Sequence, residues 1–121
     1  MRKFAEIYKA MGDETRLAIL LLILRHGEIC VCDVEGALGV SQSKASRHLR
    51  YLRNAGLLAD RRDGVWVYYN IPKDAQSDAG RAVAANRKLI LSMDNSELEQ
   101  KYQHWMAQKQ AGDTCMAHLN K

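Results

Sequence analysis

The chain has 121 residues, enough for one domain with a workable core and too few for several. An apolar content of 47% beside 26% charged residues fits a soluble globular protein, and a single proline with eight glycines excludes a long flexible linker. The net charge of +4 is local, because the 22 residues from Ser41 to Arg62 carry +5 and leave −1 for the remainder. Such a patch is the footprint expected of a nucleic-acid surface, though an ordinary solvated basic face has the same charge.

Met1 to Glu6 holds an acidic residue and no apolar signal core, so no export signal is evident. The longest apolar run, Leu17 to Leu24, falls far short of the ~20 residues that span a bilayer. The expectation is a cytoplasmic protein without a membrane partner, whose three cysteines, an odd number, stay reduced.

In chain order, Phe4, Ile7, Tyr8 and Met11 repeat at helical spacing and predict a first helix over about 3–11. Asp13 then caps a second, running to about His26, apolar nearly all round and therefore central. A short third helix runs from near Cys30 to Leu38, where Gly39 ends it, and Ser41 caps a fourth. Two helices joined by so tight a glycine turn read as a helix-turn-helix. On the fourth helix Ala45, Leu49 and Leu52 share a sector of roughly 60° and face a core, while Ser43, Ser46, Arg47, Arg50 and Asn54 gather opposite. Asp63-Gly64, between Leu57–Arg62 and Val65–Ile71, predicts a hairpin with both turn residues at positive φ. A fifth helix is expected over about 74–93 and a sixth from Ser96, opened by a capping box through Glu99. The fold class is mainly α with a β-hairpin wing, a winged helix-turn-helix.

These motifs carry a family resemblance. From Gly12-Asp13-Glu14-Thr15-Arg16-Leu17, through Cys30-Val31-Cys32-Asp33 and Ser41–Leu49, to Gly56–Tyr69, the chain resembles the ArsR/SmtB winged-helix metal-sensing repressors, in particular their arsenic-responsive branch. The resemblance implies a homodimeric repressor that leaves double-stranded operator DNA when its inducer binds. It also implies a dimer interface from the first and last helices, with Ile7 and Met11 meeting a stripe of Leu98, Tyr102, Trp105 and Met106. Residues 1–110 would form the DNA-binding and dimerisation domain, and 111–121 an aperiodic tail.

Cys30 and Cys32 are the candidate ligands, and the expected inducer is trivalent arsenic or antimony (arsenite, antimonite or methylarsenite) with no organic cofactor. Cadmium or lead, and thiol oxidation, are the alternatives; inert cysteines in a constitutive DNA binder are a third. In a regular helix the two side chains would point about 200° apart, so chelation would unwind the helix's first turn. A helix N-terminus is expected to favour the thiolate. Asp33 reads as a first-turn acid. Glu35 stands where a third thiol often lies in the arsenic branch, which leaves Cys115 as the candidate third ligand.

For DNA, Gln42, Ser43, Ser46 and Arg47 are the candidate base contacts, and Lys44, Arg50 and Arg53 the phosphate contacts. Arg61, Arg62 and Gly64 would track the backbone at the wing. No phosphate loop, His-Glu-x-x-His or Gly-x-Ser-x-Gly motif supports an enzyme.

Overall fold

The computed structural model describes residues 1–110. Among these residues there are six helices, α1 (Arg2–Met11), α2 (Glu14–His26), α3 (Val31–Leu38), α4 (Gln42–Asn54), α5 (Asp78–Ser92) and α6 (Ser96–Gln110), and three strands, β1 (Ile29–Cys30), β2 (Ala59–Asp63) and β3 (Trp66–Asn70). The strands form one antiparallel sheet in the order β1-β3-β2. The chain is thus a mainly helical winged helix-turn-helix. No described helix is long and apolar enough to cross a membrane.

Local chemistry sets the helix starts. Asp13 accepts the Arg16 N–H at 3.0 Å, and Ser41 accepts the Lys44 N–H at 3.2 Å, each satisfying a donor the helix leaves over. Gly39, left-handed at φ +66, ends α3 and turns the chain into α4. The apolar run of α2 is central as expected, with Ile19 through Ile23 all buried. Ala45, Leu49 and Leu52 bury the inner face of α4 against the same core, which also takes Ile29, Val34 and Leu57.

Several expectations need correction. The hairpin turn is Gly64-Val65 rather than Asp63-Gly64, since Asp63 pairs with Trp66. Only Gly64 has positive φ there, which is the two-residue turn with glycine first. The fifth helix starts four residues late, because Ser77 caps it by accepting the Gly80 N–H, and Asp74 is held in a turn by the Gln76 N–H. Glu99 makes no capping box: its carboxylate meets His26 Nε2 at 2.9 Å and the Gln103 amide, which anchors α6 to the end of α2.

The stripe that the resemblance places at a dimer interface also makes contacts within its own chain. Ile7 and Met11 lie in the main core. Tyr102 is buried with Leu22 and Ala37, flanked by Leu98 and Met106, and Trp105 packs on the cysteines. Helix α6 therefore covers α3 rather than projecting outward.

Candidate cysteine site and nucleic-acid interface

Only Cys32 lies on the helix. Cys30 belongs to β1, paired across from Tyr68, and serves as the extended N-cap of α3 at φ −104 and ψ 172. The two sulfurs therefore do not follow helical angles, and the expected 200° divergence does not apply. Both residues are buried, in one cluster with Trp66, Tyr68 and Trp105. Cys32 is disulfide-bonded, contrary to the expectation of reduced thiols. Ligand duty for Cys32 therefore begins with reduction. Cys115 lies outside the described residues.

Asp33 is more than a first-turn acid, being only 3% exposed. It closes a reciprocal capping box with Cys30: its Oδ2 accepts the Cys30 N–H at 2.9 Å while the Cys30 sulfur accepts the Asp33 N–H. Its Oδ1 accepts the Trp105 indole N–H at 2.7 Å and the Lys109 ammonium at 2.9 Å. The same ammonium stands 3.9 Å from Cys30 Sγ. Sequence reasoning missed Trp105 and Lys109 here, because their partner lies more than seventy residues earlier.

The expected thiolate preference does not survive burial. Burial, and then the Asp33 charge, push the Cys30 thiol up; the Lys109 charge and the Asp33 N–H oppose them. Burial works against the Lys109 charge, but the hydrogen bond and charge of Asp33 overcome it and hold the lysine above its ordinary value.

A cavity of about 170 Å³ opens beside the pair, lined by Cys30, Val31, Cys32, Glu35, Gln42, Val65, Trp66 and Val67. Gln42 is the first residue of α4, and Val65 lies at the wing tip. Sulfur, recognition helix and wing thus share one space, and the β1–β3 pairing adds a backbone link from Cys30 to the wing.

On the DNA side, Gln42, Ser43, Lys44, Arg47 and Arg50 are exposed along α4, and Ser46 is half-buried. Arg62 and Gly64 are exposed at the wing. The remaining arginines of the basic segment are engaged. Arg53 pairs with Asp60 at 3.2 Å, and Arg61 grips Glu28 at 2.6 and 3.1 Å while lying over the Tyr68 ring. The Arg61 grip pulls the Glu28 carboxyl below its usual range.

Arg16 is a positioning residue that sequence reading passed over. It donates to the Ala10 carbonyl at 2.7 Å, faces His48 Nδ1 at 3.3 Å and lies 4.1 Å over the Tyr51 ring. One guanidinium thereby fixes the outer side of α4 to the α1–α2 junction. His48 is half-buried, and burial lowers its pKa, as befits a packing residue.

Comparison with known proteins now bears on this geometry. Residues 13–60 match the bacterial regulatory protein arsR family. The chain is 54% identical over 65 residues to the arsenic resistance transcriptional regulator ArsR1 of Pseudomonas putida, covering 54% of this chain and 51% of that one. It thus spans about half the length of that curated relative. It is 38% identical over 71 residues to the arsenical resistance operon repressor of Bacillus subtilis, covering 59% of this chain and 68% of that protein. Among solved structures, it superposes on a homodimeric winged helix-turn-helix DNA-binding domain of Mycobacterium bovis with a TM-score of 0.60 at 33% identity, over 73% of this chain and 78% of that one. The chain therefore belongs to the ArsR family of bacterial regulatory proteins.

Proposed function

We propose that this chain is a cytoplasmic transcriptional repressor, not an enzyme, that holds operator DNA as a homodimer and releases it when trivalent arsenic or antimony binds Cys30 and Cys32. The observation that carries the reading is the shared cavity, where both cysteines meet Gln42 of the recognition helix and the wing. Arsenic resistance regulators among the relatives support the choice of inducer. So does charge: arsenite enters as a neutral hydroxide, and two thiols replace two hydroxyls with release of two waters and no net change. A monosubstituted arsenical has just two such positions, so the pair suffices for it; arsenite retains a third, for which Cys115 is the proposed donor. The test is operator-DNA anisotropy under reducing conditions, titrated with arsenite, antimonite, methylarsenite, cadmium and lead. Release by the trivalent species at lower concentration supports the reading, and release by cadmium or lead alone would replace it.

The disulfide at Cys32 favours one second reading, an oxidant-released repressor. Release by peroxide without response to arsenite would select it.

In the DNA complex α4 lies in the major groove of a two-fold operator, half-sites about one helical turn apart. Gln42, Ser43, Ser46 and Arg47 reach base edges, with Lys44, Arg50 and Arg62 on phosphates and the Gly64 turn beside them. Arg53 and Arg61 join them only by sharing their charge with Asp60 and Glu28. Arg47→Ala should cost about 1–3 kcal/mol at one base pair and relax preference there. A uniform loss across sequences, measured by competition binding, would reassign Arg47 to a phosphate.

An exposed apolar face beside Met11 extends the proposed dimer surface. Phe4 and Tyr8 on α1 are 45% and 49% exposed, and Leu89 at the end of α5 is 65% exposed, with Met93 just beyond. Tyr8, Leu89 and Met93 line one pocket, so this apolar face is continuous. Leu89→Glu is expected to shift the mass by light scattering from dimer to monomer. A dimer of undiminished affinity would place the interface elsewhere.

A further inference from the structure

We propose that Lys109 is a specificity-determining residue of the cysteine site: by neutralising and occupying Asp33 beside Cys30, it disfavours divalent cations relative to trivalent arsenic. The inference deepens the arsenic reading and rests on it. Two sulfurs leave cadmium, lead or zinc short of the three or four ligands they take, and Asp33, bonded to the Cys30 N–H, is an oxygen donor within the cysteine motif besides Glu35 on the cavity wall. Here both oxygens of the Asp33 carboxylate are engaged. One oxygen takes the Cys30 N–H, and the other takes both the Trp105 indole and the Lys109 ammonium. Among the described residues no three His, Cys, Asp or Glu side chains form an ion-holding group.

The second effect is charge. The ammonium lies 3.9 Å from Cys30 Sγ, in a place where burial limits screening by water. An incoming dication meets a like charge there, whereas a neutral hydroxide of arsenic does not. Arsenic also needs nothing from Asp33, because it takes sulfur in exchange for hydroxyl. Removing Lys109 frees an oxygen donor and leaves the buried carboxylate uncompensated, and both changes favour the divalent ion.

The sequence supplies a direct readout. Its two tryptophans, Trp66 and Trp105, both pack on the cysteines, so intrinsic fluorescence of the reduced full chain reports occupancy without DNA. Titrations with arsenite and with cadmium on wild type, Lys109→Met and Lys109→Arg test the proposal. Lys109→Met should raise cadmium affinity relative to arsenite on the order of tenfold, the weight of one nearby charge at a partly buried site. Lys109→Arg, which keeps charge and donor, should hold the wild-type ratio. Should the methionine variant not fold, Lys109→Gln removes the charge while leaving a donor for Asp33, and the ratio should move the same way. An unchanged ratio, or both ions weakened in parallel as a merely structural role predicts, would overturn the assignment. A wild-type chain that binds cadmium and ignores arsenite would instead overturn the arsenic reading itself.

Discussion

A Cys30→Ser protein is expected to keep its operator and lose its response to arsenite. Serine is a good N-cap, so the hydroxyl can replace the sulfur in accepting the Asp33 N–H and α3 should start where it does now. The pairing of residue 30 with Tyr68 is made by backbone and is indifferent to the change. What disappears is a soft ligand, because a hydroxyl does not hold trivalent arsenic as a thiol does. Altering partners that only support a ligand already costs 10–100-fold in comparable sites, so losing the ligand should raise the arsenite needed for half-release more than ~100-fold. Anisotropy on operator DNA with reductant present measures both quantities at once. Undiminished release would remove Cys30 from the site. A loss of DNA affinity in the absence of arsenite would make it a structural residue of the β1–β3 pairing.

The DNA-reading half was legible because its signals are local. Ser41 as a cap, Gly39 as a stop and the Ala45, Leu49, Leu52 face all lie within fourteen residues, and each acts through its own helix. The cysteine site was half legible. Its two sulfurs and their place at the start of α3 could be read, but the setting could not. The strand holding Cys30 is two residues long, too short for any periodicity, and its partners Tyr68 and Tyr69 lie in the wing. Asp33 sits where an acid is ordinarily solvated, and only the docking of Trp105 and Lys109 makes it buried and paired. The stripe on α6 showed correct helical spacing, yet spacing cannot tell a neighbour in the same chain from one in a second copy. Gly36 marks the neighbour of Trp105 within the chain. A Cβ there would fall within the Trp105 ring, so the indole lies flush on α3 of its own chain.

Asp33→Ala should be among the most destabilising single changes outside the apolar core. Three donors converge on this carboxylate, and alanine strands all of them: the Cys30 N–H, the Trp105 indole N–H and the Lys109 ammonium. Loss of the cap, of two hydrogen bonds and of the partner to a half-buried cation together suggests about 3 kcal/mol. For a domain of this size that corresponds to a fall in Tm of roughly 10 °C, compared at equal protein concentration because a dimer's stability depends on it. Asp33→Asn should lose less, since its one amide oxygen still accepts from either Cys30 or Trp105, while the amide nitrogen faces the other donor and cannot neutralise Lys109. Hydrogen exchange locates the damage: amides of α6 should lose protection while those of α2 and α4 lag behind, because α6 is held by this carboxylate, the Glu99 anchor and the small Tyr102 cluster. A change within about 0.5 kcal/mol would mean that apolar packing of Tyr102 and Trp105 alone docks α6. With the larger loss, α6 is a cover whose fastening is the first turn of α3, so the group that orders the cysteine strand is also the one that encloses it.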